Sequence, residues 1–180
     1  MKARPAKTAV FFISVLAANR QAHDLAAGVL RQHFGEPSHI FGPLRFTSTS
    51  YYLDELGDSP LKSFLGYPEH FHTELLPERK ILTNRLEEEL ASRLLMDLPR
   101  PVNLDPGYLT LHNIVLASAK NFAHRLHLAK GIYGEVTLLY RDKHYQALPW
   151  TFPDYASGEY FDFFLSLRSM LPHPALEPIF

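Results

Sequence analysis

From Ala9 to Ala18 the chain is apolar at every position except Ser14, and Val10, Phe11, Phe12, Ile13 and Val15 are β-branched or aromatic. The run is too short to span a bilayer, and it reads as a buried strand over residues 8–17, because strands favour such side chains. Lys2, Arg4 and Lys7 ahead of it imitate a secretory leader. Leaders favour Leu and Ala, however, and an amphipathic helix follows at once, so the expected location is cytoplasmic. Asn19 caps that helix from Arg20 to about Phe34, with Leu25, Val29 and Leu30 on its apolar side and Gly35 as its stop. Ile40–Phe46 reads as a second strand, placed at a sheet edge by Gly42 and Pro43. Residues 47–60 read as a loop and Phe64–Phe71 as a third strand. Pro77 opens the clearest helix, in which Ile81, Leu82, Leu86, Leu90, Leu94 and Leu95 recur at helical spacing until Pro99. Glu87, Glu88 and Glu89 in its middle read as solvated surface.

Further on, Asp105-Pro106-Gly107 has the residue order of a turn, and Thr110 reads as the cap of a short helix to about Ala119. Residues 122–150 carry a meander. A three-residue loop at Ala129-Lys130-Gly131 would face Leu128 with Ile132, Leu126 with Gly134, and His124 with Val136 on an apolar side. The other side would then pair His127 with Tyr133 and Arg125 with Glu135. A second hairpin near Asp142-Lys143 would pair Tyr140 with Tyr145. Ser157 caps a last helix from Gly158 to about Met170. No repeat or linker divides the chain, so one domain is expected over 1–180, with its core at about 8–170 and a Pro-rich tail over 171–180. The predicted fold is α+β, with helices packed on a mainly antiparallel sheet. A ferredoxin-like β-α-β-β-α-β core would be extended by the meander and a C-terminal helix.

Four strings are distinctive: Asn103 to Thr110 (NLDPGYLT), Val115 to Lys120 (VLASAK), His124 to Leu138 (HRLHLAKGIYGEVTL) and Leu148 to Tyr155 (LPWTFPDY). Together they resemble a bacterial family of small proteins of about this length, catalogued as a domain of unknown function. The resemblance covers about residues 8–170 and implies one complete domain. It implies no activity and no catalytic residue. The family pattern has an aromatic residue at the position of His127 and Ala at that of Gly134, so a mechanism through His127 finds no support there.

Composition narrows the chemistry. The chain has 180 residues, no Cys, and 18 Lys+Arg against 19 Asp+Glu. Disulfide scaffolds, Cys-ligated metals and Cys nucleophiles are excluded, and a net charge of −1 argues against a dedicated nucleic-acid binder. There is no Gly-rich phosphate loop, Gly-x-Ser-x-Gly elbow or His-Glu-x-x-His helix, and no cofactor is assigned. The overall balance nevertheless conceals two regions. Residues 53–97 hold five basic against ten acidic residues, whereas residues 98–145 hold six against three.

The basic region contains Lys120, Arg125 and Lys130, suited to phosphate or carboxylate. His124, Glu135 and Asp105 are the candidates for acid–base work, and no catalytic role is assigned to any of them. Lys120, Arg125, Tyr108, Trp150 and Asp154 are the candidate ligand contacts, with Trp150 as a cleft wall or, alternatively, a packing anchor. The competing account of Arg125–Glu135 is a cross-strand ion pair. His70 and His72 are two imidazoles on one strand face with no third ligand fixed by spacing, so no metal is assigned. The expected partner is a small anionic ligand. The alternative is a non-catalytic RNA- or protein-binding module that uses the sheet and the aromatics Tyr51, Tyr52 and Tyr133. Membrane association is not expected, and no oligomeric state follows from the sequence.

Overall fold

A computed structural model of the chain describes residues 9–47 and 53–172. The cationic start of the chain, Tyr51, Tyr52 and the tail from residue 173 lie outside the described residues. Among the described residues eight strands form one sheet: β1 (Ala9–Ala17), β2 (His39–Arg45), β3 (Leu61–Phe71), β4 (Val102–Leu109), β5 (Asn113–Ser118), β6 (Leu126–Ala129), β7 (Ile132–Arg141) and β8 (His144–Ala147). The helices are α1 (Arg20–Phe34), α2 (Leu53–Leu56), α3 (Leu76–Leu94), α4 (Pro153–Ala156) and α5 (Phe161–Arg168). Among the described residues no helix is long and apolar enough to cross a membrane.

The strand order is β2-β3-β1-β4-β5-β7-β6, with β8 also on β7, and every pairing is antiparallel. Since β1 and β2 both run opposite to β3, they are parallel to each other with β3 between them. The same relation holds for β3 and β4 around β1. These two split β-α-β units are the ferredoxin-like arrangement expected from the element order, and β2 lies at the sheet edge as its Gly-Pro pair implied.

All nine residues of β1 are buried, which accounts for an apolar run in place of an alternating one. One face, with Phe11, Ile13 and Val15, packs under α1 and α3 against Val29, Leu30, Leu86 and Leu90. Phe12 and Val10 on the other face pack against Phe163, Phe164 and Leu167 of α5. Asn19 caps α1 as expected, its Oδ1 accepting from Ala22 N–H at 2.9 Å.

Several local expectations are corrected. Asp105, Pro106 and Gly107 lie inside β4, opposite Ser14, Ile13 and Phe12 of β1. Gly107 is required there by close approach, because a Cβ would fall 2.7 Å from both Phe12 Cζ and Val115 O. Thr110 caps no helix. Its Oγ1 accepts from His112 and Asn113 N–H, closing a tight β4–β5 hairpin. The loop before β7 is two residues, Lys130 and Gly131, both with positive φ, as the turn best matched to strand twist requires. A bulge after His127 absorbs the difference, so Leu126↔Gly134 and His127↔Tyr133 pair as expected. Leu126 and Leu128 are exposed, however, not turned to a core. The hairpin at Asp142-Lys143 pairs Tyr140 with Tyr145. The last helix starts late: Ser157 closes α4, and α5 begins at Phe161.

Candidate functional site

β5 ladders with β4 only from Gly107 to Leu109, leaving the outer edge of β4 open from Val102 to Pro106. A buried edge must satisfy its backbone groups elsewhere, and α3 supplies the partners. Lys80 Nζ donates to Leu104 O at 2.9 Å, and Leu104 N–H donates to Glu87 Oε1 at 2.7 Å. Lys80 and Glu87 are seven positions apart, two turns, and so share a face of α3. Leu104 therefore directs both backbone groups away from β1. Pro106, of the same parity, directs its nitrogen the same way, so this proline removes no bond from the β1 ladder.

A cavity of about 950 Å³ opens in the gap. Lys80, Asn84, Glu87 and Glu88 of α3 line one side with Arg100, Asn103 and Asp105. Ser118 of β5, Lys120, Phe122, His124 and Arg125 after it, Glu135 of β7, and Trp150, Phe152 and Pro153 line the rest. Asp105, Lys120, His124, Arg125, Glu135 and Trp150, all selected from sequence, meet here. Tyr108 and Asp154 do not. Tyr108 projects from the opposite face of β4, 6.1 Å from the Phe71 ring. Asp154 turns inward from α4 to a buried ion pair with Lys62 at 3.3 Å and accepts from Tyr160 O–H at 3.3 Å. Leu148 to Tyr155 thus divides its roles: Trp150 lines the cavity, while Tyr155 packs the core against Phe164.

The two imidazoles of the metal pairing are not matched: His70 is in β3, but His72 has left the strand and precedes the short turn into α3. Among the described residues no three His, Asp or Glu are grouped to hold a metal ion.

Glu135 is the centre of one charged group. Its Oε2 accepts from Arg125 Nε at 2.6 Å and lies 3.1 Å from His124 Nε2. Arg125 Nη1 donates to Ser118 Oγ at 2.8 Å and to Lys120 O at 3.0 Å. Glu135 Oε1 is buried and has no hydrogen-bond partner among the described residues. His124 stacks on Trp150, centroids 5.3 Å apart and rings 8° from parallel, and Trp150 Nε1–H donates to Val136 O at 2.8 Å.

The second group joins α3 to β4. Lys80 lies 3.0 Å from Asp105 Oδ1 and 3.7 Å from Glu87 Oε1. Arg100 Nη2 meets Glu55 at 2.5 Å and Nη1 lies 3.9 Å from Glu87 Oε2, while its buried Nε has no hydrogen-bond partner among the described residues. Burial pushes the Glu87 carboxyl up to about 7, against the opposing pull of Lys80 and reinforced by Asp105. Burial acts upward on Asp105 as well, but Lys80, Lys62 and the Asn103 hydrogen bond outweigh it and hold that carboxyl below its usual range.

Lys80, Glu87, Arg100 and Asn103 were not selected from sequence, and Glu87 is corrected from solvated surface to buried. A signal was present. Leu76, Lys80, Thr83, Glu87 and Leu90 follow the alternating four–three spacing of a buried seam, with a cation and an anion inside it.

The family model described as "Domain of unknown function (DUF4416)" matches residues 7–170. The chain belongs to this family. No curated protein and no solved structure matches it. For the DUF4416 domain, therefore, the site's geometry is the ground on which a function can be argued.

Proposed function

We propose that this DUF4416 domain binds a small anionic molecule, bearing phosphate or carboxylate, in the cavity between β4 and β5. The observation that carries the reading is a pair of buried polar atoms without hydrogen-bond partners among the described residues, on two residues that line the cavity: the Arg100 Nε donor and the Glu135 Oε1 acceptor. Each costs about 1–3 kcal/mol if left dry and unmatched, so the cavity favours a polar guest that offers both an acceptor and a donor. Arg100, Lys120 and Arg125 are the groups that receive the anion, Arg through planar paired donors.

Charge supports the same conclusion. Four basic side chains and four acidic ones line the cavity, an even balance while every carboxylate is ionised. With its carboxyl raised to about 7, Glu87 takes up a proton as the pH falls toward and below neutrality, tipping the lining positive. For an anion whose own charge is constant over this range, binding is therefore tighter at pH 6 than at pH 8.

The alternative, an RNA- or protein-binding module on the sheet, draws less support. Helices cover both faces of β1, and Tyr133 is half-buried with its ring against His127.

Thermal shift with inorganic phosphate and ribose 5-phosphate tests the reading. A saturable rise in Tm, weakened by Lys120→Ala, is expected. No rise with either compound would contradict it.

A further inference from the structure

The cavity wall opposite α3 is aromatic. Phe122, His124, Trp150 and Phe152 line it, and Phe122 and Trp150 remain 61% and 39% exposed. These rings leave apolar area beside the cavity open to a ligand, and covering such area gains about 25 cal/mol per Å². Trp150 is also held in place: its Nε1–H is bonded to Val136 O and one face lies on His124. His124 is fixed in turn by Glu135 Oε2, and the second oxygen of that carboxylate is the unpartnered one.

A rigid aromatic wall beside a carboxylate oxygen that lacks a donor is the recognition set for a heteroaromatic ring with an N–H at its edge. Ring faces stack on the wall, and the N–H supplies what Glu135 Oε1 is missing. Arg100 and Lys120 line the same cavity. We infer that the ligand is of the nucleoside monophosphate class: a base against Phe122, His124 and Trp150, donating an N–H to Glu135, with its phosphate toward Lys120 and Arg100. A cavity of about 950 Å³ lies in the upper part of the range of small-molecule sites. The inference rests on the anionic-ligand reading and specifies what the anion is attached to.

Trp150 is the only tryptophan, so its fluorescence reports on this wall alone. Titration with AMP, GMP, purine riboside 5′-monophosphate and ribose 5-phosphate, followed by fluorescence and calorimetry, tests the inference. AMP or GMP is expected to change the emission saturably and to bind about tenfold or more tighter than ribose 5-phosphate, as a stacked base contributes. Purine riboside 5′-monophosphate, which keeps the ring and lacks the N–H, is expected to lose part of that gain. Glu135→Gln is expected to reduce the advantage of AMP or GMP over ribose 5-phosphate; the unmodified protein with the purine riboside compound gives the same comparison without a substitution. Equal affinity for ribose 5-phosphate and both nucleotides overturns the inference and leaves the anionic-ligand reading standing. Tighter nucleotide binding without a change in Trp150 emission also overturns it. Binding by none of the four compounds overturns both.

Discussion

Replacing Glu87 with glutamine tests the electrostatics of the cavity independently of any ligand. Glutamine keeps an oxygen for Leu104 N–H, now bonded to Glu87 Oε1 at 2.7 Å, and Lys80 keeps Asp105 at 3.0 Å. What disappears is a titrating group. Its carboxyl stands at about 7 in the folded protein against 4.5 ordinarily. The folded state therefore holds a proton that the unfolded chain has released between those pH values, and stability falls as pH rises. The stabilising contribution is fully present below pH 4.5 and is lost as the pH climbs through about 7. At about 1.4 kcal/mol for each unit of separation, the loss between pH 5 and pH 8 comes to about 2–3 kcal/mol. Urea denaturation of the parent and Glu87→Gln at pH 5, 6, 7 and 8 measures it, because groups common to both proteins cancel in the difference. The parent is expected to lose about 2–3 kcal/mol relative to the variant across that window. A difference that is flat, or that favours the parent as pH rises, refutes the burial argument.

Two glycines in the sheet are expected to respond oppositely to alanine. Gly107→Ala forces a Cβ to 2.7 Å from Val115 O, a backbone atom that cannot rotate away, at a cost of about 2–3 kcal/mol by denaturation. Gly134→Ala meets only Leu128 Cδ1 at 3.1 Å, on an exposed side chain that can move, and stays within about 0.5 kcal/mol of the parent. Lys62→Met strands the buried Asp154 carboxylate that it meets at 3.3 Å and costs about 3–5 kcal/mol. Adding Asp154→Asn recovers much of that loss; a double variant no more stable than the single one would show that the pair is not coupled.

The fold was legible where burial alone dictated the pattern. β1 is buried on both faces and reads as an unbroken apolar run, and the split β-α-β order follows from the alternation of strands and helices. The Arg125–Glu135 contact was legible because hairpin register is constrained by which side chains can face each other. That held even though the loop is one residue shorter than expected, because the bulge after His127 makes up the offset. Two features were not legible, and for a common reason. Asp105-Pro106-Gly107 has turn chemistry, but it is a strand whose open edge is satisfied by side chains from α3. Glu87 reads as a solvated charge because local sequence does not show that β4 lacks a neighbour there and needs an acceptor. Both depend on where β5 parts from β4, a tertiary fact. Trp150 and Tyr155, five residues apart, likewise take a lining and a packing role that only the placement of α4 separates.

The central claim is that the cavity between β4 and β5 is a binding site for a small anion. Chemical-shift mapping of the labelled protein during titration with ribose 5-phosphate tests it most directly. The account predicts saturable shifts concentrated at the amides of Ser118 to Arg125, Arg100 and Glu135. Shifts that are absent, or that concentrate away from this cavity, would contradict it.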